Sequence, residues 1–344
     1  MKTILKAICY GIVLMMLASC GKSVQSDSHN EDTIDESQNS NIDESATNTE
    51  MVTTNPNGED LIIYSPVLLP EERDSITMGE LSSDHVYYQE VVDFDPDCVN
   101  YIKEMSIYDK EIDDTFIVHI SLPPNYTSDN KYPMVVMTDG VWRLSDHPEM
   151  RQLMINGEIE EVILVSVGYP NDYNYRRIRE RDLIEHPDSY LHFMVDNLVP
   201  YLCENYSIDT ERLTVTGHSY GGYWAFYSLF NSDTIGKNTF ANYYIGSPFL
   251  ETYGNDMGPI YDFEKAYYSR NKELNANVYI TVGEDESQDF GQSFIDSITD
   301  FVNLLSERNY EGFNCKYEII PDYDHNTVFK PSIRNTLKMY YGID

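Results

Sequence analysis

The stretch Leu213-Thr-Val-Thr-Gly-His-Ser-Tyr-Gly-Gly222, followed by Tyr223-Trp-Ala-Phe-Tyr-Ser-Leu-Phe230, decides how this chain folds. An apolar, β-branched run leads into glycines around a single serine, and an apolar run of helical length comes directly after. The order is strand, tight turn, helix. In Gly217-His218-Ser219-Tyr220-Gly221 a glycine stands two positions to either side of Ser219. A strained strand-to-helix bend needs small residues there, because its two arms nearly touch. Gly222 lets the helix start close to the sheet. The first N–H groups of a helix have no partner within it and are free to face a developing anion. Ser219 is therefore the candidate nucleophile, and the Tyr220 amide a candidate oxyanion donor.

A serine hydroxyl is a weak nucleophile and needs a base, held in place by a third group. When the serine sits on a bend of this kind, the chain order is serine, acid, histidine. Of the eight histidines, seven lie at or before His218, and only His325 follows Ser219. It stands in Pro321-Asp-Tyr-Asp-His-Asn326, between the last expected strand and the last expected helix. The acid is expected on the loop after the preceding strand, Gly283-Glu-Asp-Glu-Ser287. Glu284, Asp285 and Glu286 all compete for that role. His218 points away from its neighbour Ser219 and reads as a packing or supporting residue. The second oxyanion donor belongs to Gly140-Val141-Trp142, which follows the apolar run Tyr132-Pro-Met-Val-Val-Met-Thr138. That places it at the C-terminal end of a strand, where open α/β sheets put their sites.

Further strands read at Glu161-Val-Ile-Leu-Val-Ser-Val167, Ala241–Gly246, Asn277–Val282 and Asn314–Ile320, and helices at Ser189–Tyr206, Phe294–Arg308 and Val328–Tyr341. Strands alternating with helices give an α/β fold with a mostly parallel central sheet covered on both faces. Thr115–Leu122 alternates in part, like an outer antiparallel strand. His85–Val92 reads as a strand, and residues 249–275 as a partly helical excursion.

Residues 1–20 carry Lys2 and Lys6, an apolar run from Ala7 to Leu17, and Leu17-Ala-Ser-Cys20. The run is too short to span a membrane and reads as a signal peptide. Its end resembles the bacterial lipobox, which implies lipidation at Cys20. Residues 21–59 are rich in Ser, Asn, Thr, Asp and Glu and cannot bury enough surface to offset chain entropy, so they read as a disordered acidic tether. Residues 60–344 are the catalytic domain. The expected location is the cell envelope outside the cytoplasm. The formal net charge of −35 excludes nucleic acid as a partner and disfavours docking on anionic lipid. Membrane contact is thus expected through the N-terminal lipid alone.

No C-x-x-C pair or zinc spacing occurs, and neither a metal nor a cofactor is expected. Asp93, Asp95, Asp97 and Glu104 fall at EF-hand spacing, but Cys98 replaces the glycine that loop needs. Cys98, Cys203 and Cys315 leave open one disulfide with a free thiol, or three thiols. Oligomeric state has no readable signal.

Residues 98–342 resemble the esterase D-like α/β-hydrolases, a group that includes enterobactin-type siderophore esterases, feruloyl esterase domains and S-formylglutathione hydrolase. The resemblance is carried by Thr115–Gly140, Arg179-Glu-Arg-Asp-Leu183, Gly217-His-Ser-Tyr-Gly-Gly222, Gly246-Ser-Pro248, Val282-Gly-Glu-Asp-Glu286 and Asp324-His-Asn326. It implies hydrolysis of carboxylic esters through an acyl-serine, without a metal. In that family the acid follows the glycine by three residues, which selects Glu286. Amides of Tyr220 and Val141 would form the oxyanion hole. Arg179 and Asp182 match an Arg-x-x-Asp-Leu pattern, which reads first as an internal salt bridge that shapes the loop and second as a means of positioning substrate; Arg179, with Trp142, is thus also a candidate substrate contact. The substrate is expected to be a small-molecule or carbohydrate-linked ester. Residues 171–192 and 249–275, which would wall the site, have no code that names it. An acyltransferase of the same fold and a catalytically inactive lipid-anchored binding protein are the competing readings.

Overall fold

A computed structural model describes residues 49–54, 60–65, 76–171, 173–250 and 260–343. The expected signal segment with Cys20 lies outside the described residues, as does most of the expected tether. Thr49–Thr54 (β1), within the stretch read as tether, pairs antiparallel with Asp60–Ser65 (β2).

The remaining strands form one nine-stranded sheet: Ile76–Glu80 (β3), Ile102–Asp109 (β4), Asp114–Ser121 (β5), Tyr132–Met137 (β6), Ile163–Gly168 (β7), Ile208–His218 (β8), Asn242–Gly246 (β9), Glu273–Gly283 (β10) and Glu311–Ile320 (β11). Their spatial order is β11-β10-β9-β8-β6-β7-β5-β4-β3. From β11 to β7 every neighbour is parallel. The pairs β5·β7, β4·β5 and β3·β4 are antiparallel.

Every residue of β6, β7 and β9 is buried, as continuous apolar runs in a doubly covered sheet should be. Side chains alternate across the sheet with period two. Met134 and Val136 join the core under Trp224, Phe226 and Phe301, whereas Val135 and Met137 face Met150, Leu153 and Leu337. Each such side chain contributes about 1.5–3 kcal/mol by leaving water. The helices that cover the two faces include Gly140–Arg143 (α2), His147–Ile155 (α3), Tyr220–Phe230 (α7), Gln292–Arg308 (α10) and Phe329–Tyr341 (α11). Tyr88–Phe94 (α1), Tyr175–Glu180 (α4), Pro187–His192 (α5), Val199–Asn205 (α6), Ile260–Arg270 (α8) and Glu286–Phe290 (α9) complete the set used below.

The sequence reading of His85–Val92 as a strand is overturned. This segment is a turn leading into α1, in which only Val91 is buried. The sheet edge it would have occupied belongs to β3, whose exposed residues hide any alternation. The expected helix Ser189–Tyr206 starts at Pro187 and is split by a π-helical segment, Phe193–Leu198. Pro200 just beyond it cannot donate a backbone bond, and the ladder widens where that donor is missing. Cys98, Cys203 and Cys315 are all free thiols.

At the N-terminal ends of the parallel strands, Thr214, Asn242, Asn277 and Asn314 stand in register. Asn314 donates to Asn277 at 3.0 Å, Asn277 to Asn242 at 2.9 Å and Asn242 to Thr214 at 3.3 Å. The three asparagines border a groove of about 780 Å³ that none of the candidate residues lines. The candidate site lies at the opposite, C-terminal ends.

Candidate active site

Ser219, between β8 and α7, has φ 62° and ψ −117°, a conformation an L-residue adopts only when its surroundings force it. Its amide is spent on the carbonyl of Gly246 at 2.9 Å, tying the bend to β9. A Cβ at Gly217 would stand 1.9 Å from the Gly221 carbonyl, and one at Gly221 would stand 2.4 Å from Thr138 Oγ1. Both glycines are thus required by the closeness of the two arms. The Ser219 hydroxyl has no hydrogen-bond partner among the described residues. Catalytic hydrogen bonds of this kind often close only when substrate is present.

Glu286 is fully buried at the start of α9. Its Oε2 lies 2.6 Å from His325 Nδ1, and its Oε1 accepts from Ser247 Oγ at 2.5 Å and from the Gly283 amide at 2.6 Å. Of the three competing carboxylates, Glu284 is exposed and Asp285 half-buried. Only Glu286 reaches the histidine. The His325 amide donates to Asp289 Oδ2 at 3.3 Å. Its carbonyl accepts from His218 Nε2 at 2.8 Å, so His218 is the Nε2-protonated tautomer. Burial first, then His325 and Arg143, hold the His218 imidazole neutral, its pKa well below the usual range. His218 therefore fastens the loop that carries His325 to the strand that carries Ser219. Phe249 packs edge-on against both Tyr220, at 5.7 Å between ring centroids, and His325, at 5.9 Å.

Asp139 takes a left-handed conformation, φ 60°, immediately before α2. Neither the Tyr220 amide nor the Val141 amide has an acceptor among the described residues. The two helix starts lie side by side, since a Cβ on Gly221 would also be 3.0 Å from Asp139 Oδ2. Two unspent amides beside a serine make a cradle for an oxyanion. Arg179, read as a candidate substrate contact, is engaged elsewhere. Its Nε and Nη2 bind the two oxygens of Asp139 at 2.7 and 3.0 Å, and its guanidinium lies over Tyr220 at 5.0 Å and Trp142 at 5.4 Å. Burial works against its charge, but Asp139 outweighs that and raises its pKa. This is an internal salt bridge, though not with Asp182, which pairs with Arg181 at 2.6 Å. Trp142 is half-buried, edge-on to Tyr175 at 6.4 Å.

Reasoning from sequence missed Asp139, Ser247, Asp289 and the phenylalanines around His325. Two of them had left a signal, Ser247 in Gly246-Ser-Pro248 and Asp139 at the end of Thr115–Gly140. Among the described residues no group of three or more His, Cys, Asp or Glu side chains could hold a metal ion.

A mostly parallel sheet with both faces covered, and a serine on its tight bend where a strand gives way to a helix, define an α/β-hydrolase. Residues 110–337, well over half of the chain, match the Esterase family, and the chain belongs to it. It is a hydrolase of the esterase class. It is similar to the BES protein from Bacillus cereus, at 22% identity with a TM-score of 0.60 over 71% of this chain and 95% of that one. It is similar to the siderophore hydrolase EstA from Aspergillus nidulans, at 16% identity and TM-score 0.59 over 70% of this chain and 93% of that one. These likenesses establish the shared fold. A sequence relative, the uncharacterized protein YjcH of Bacillus subtilis (strain 168), is 27% identical over 161 residues, 44% of this chain and 62% of that protein. The match thus spans less than two thirds of that relative.

Proposed function

We propose that this chain is a serine esterase that cleaves carboxylic esters through an acyl-serine, anchored by lipid on Cys20 outside the cytoplasm. The observation that carries the catalytic part is the buried Glu286–His325 pair, 2.6 Å apart, whose loop is pinned to the residue next to Ser219. In this reading His325 takes the Ser219 proton as Oγ attacks the ester carbonyl. Glu286 holds the imidazole in the tautomer with Nε2 free and stabilises the imidazolium that forms. The amides of Tyr220 and Val141 receive the oxyanion, each donor contributing up to about a thousandfold in rate. Water then releases the acid. Arg179 acts on geometry, by clamping Asp139 and with it the start of α2, while Trp142 borders the substrate.

Mass spectrometry after brief incubation with p-nitrophenyl acetate tests the mechanism: an acetyl group should appear on the peptide bearing Ser219, and Ser219→Ala should remove both the label and turnover. Turnover surviving in Ser219→Ala would end this reading. A preference for alcohol acceptors over water would move the chain to the acyltransferases, and a wild-type chain without turnover would make it a binding protein. For the anchor, Cys20→Ala should transfer the protein from the membrane to the soluble fraction.

A further inference from the structure

Three phenylalanines crowd the ring of His325. Phe290 meets it edge-on at 4.9 Å between centroids, Phe249 at 5.9 Å and Phe294 at 6.2 Å. They also pack on one another: Phe290 on Phe294 at 4.9 Å, Phe249 on Phe294 at 5.2 Å and Phe249 on Phe290 at 5.4 Å. Phe290 nevertheless remains 40% exposed, so filling the core does not account for it. Its position has a local cause. Residues four apart share one face of a helical turn, so the segment that brings Glu286 under Nδ1 also brings Phe290 against the ring edge. Gly291, at φ 85°, then ends the turn.

The chemistry assigns a purpose to that side of the site, on the serine-esterase reading given above. With Nδ1 held by Glu286, proton transfer runs through Nε2. As Ser219 Oγ bonds to the acyl carbon, its proton passes to Nε2. The tetrahedral centre then breaks its bond to the alcohol oxygen, which leaves with that proton. The alcohol oxygen must therefore stand within about 3 Å of Nε2. Its next atoms then lie beside the His325 ring, where Phe249 spans from His325 to Tyr220, the residue after Ser219.

We propose that Phe290, together with Phe249 and Phe294, forms the subsite for the leaving alcohol and selects an uncharged alcohol carrying an aromatic ring one carbon from its oxygen. One intervening carbon lets the ring turn onto Phe290 at the 4.5–7 Å centroid spacing that aromatic pairs favour, roughly, while the oxygen stays at Nε2. The carboxylates of Glu284 and Asp289 on the same segment are exposed and repel an anionic alcohol. Arg179, the nearby guanidinium over Tyr220, is already spent on Asp139.

Benzyl acetate and ethyl acetate test this directly. They form the same acetyl-enzyme from alcohols of similar acidity, so the ratio of their kcat/KM values reports the alcohol subsite alone. The wild-type ratio should favour benzyl acetate at least about tenfold, the effect expected of a well-placed aromatic contact. Phe290→Leu and Phe290→Ala should each lower that ratio about tenfold, and 4-carboxybenzyl acetate should be a poorer substrate than benzyl acetate. A wild-type ratio near one overturns the proposal. So does an equal fall on both esters in the variants, which would make Phe290 a prop for His325 only. Turnover retained in Ser219→Ala would instead sink the esterase reading beneath it.

Discussion

Glu264 and Glu286 are both completely buried, yet they are neutralised in opposite ways. Glu264 on α8 accepts both guanidinium nitrogens of Arg308, at 2.8 and 2.9 Å, and the Tyr310 hydroxyl at 2.7 Å. Its countercharge is permanent. Glu286 has only neutral donors, the Ser247 hydroxyl and the Gly283 amide, together with an imidazole. Its full countercharge arrives only when His325 takes a proton. A buried carboxylate with a fixed cation holds elements together, here α8, α10 and the start of β11. One whose cation is transient is poised to stabilise a charge that appears during a reaction.

The strongest way to break this contrast is to remove the proton donor. Ser219→Ala should lower kcat for p-nitrophenyl acetate by roughly a million-fold, with an unchanged thermal midpoint by calorimetry. Next comes the exchange of each glutamate for its amide. Glu286→Gln should reduce kcat about a hundred- to ten-thousandfold with little loss of stability. Glu264→Gln should do the reverse, costing about 3 kcal/mol in urea unfolding because it leaves Arg308 unpaired, while the kcat of the folded fraction is retained. Equal kinetic losses in the two variants would erase the distinction. Arg179→Lys should have a smaller effect, about tenfold in kcat, because a lysine cannot hold both oxygens of Asp139 and the Val141 amide is less well placed.

The last expectation concerns the pH dependence of stability. His147, fully buried between Ser121 Oγ at 2.7 Å and Ser166 Oγ at 3.0 Å, has its pKa lowered to about 3 by burial, and then by His119. His85 is lowered to about 4, by burial first and then by His119. In both cases the unfolded chain binds a proton more readily than the folded one. Their stabilisation is therefore complete above the ordinary histidine pKa of about 6.5 and is lost as pH falls towards the folded values, by up to ~1.4 kcal/mol per pH unit for each group. Urea midpoints measured from pH 7 to pH 4.5 should fall, and His147→Gln should flatten that fall. An unaltered slope would show that His147 takes no part.

Local pattern made some of these features readable and long-range geometry hid the rest. β6, β7 and β9 were visible because buried parallel strands are continuous apolar runs. Ser219 was visible because its bend tolerates only glycine at Gly217 and Gly221, and His325 stood out by position, as the sole histidine downstream. The pattern sets Asp182 three residues from Arg179 and gives no hint of a more distant partner. The actual partner, Asp139, lies 40 positions earlier, and only the docking of α4 on the start of α2 brings them together. Ser247 and Asp289 are ordinary polar residues until folding aims them at Glu286 and the His325 amide. His85–Val92 has the composition of a strand, and became a turn and helix because β3 had already taken the edge.

The contact from His218 to the His325 carbonyl spans 107 positions. The bend around Ser219 is tied to β9 through the Gly246 carbonyl, whereas His325 lies on the loop that follows β11. On the serine-esterase reading proposed above, a chain that stops before that loop would carry Ser219 without the base that activates it.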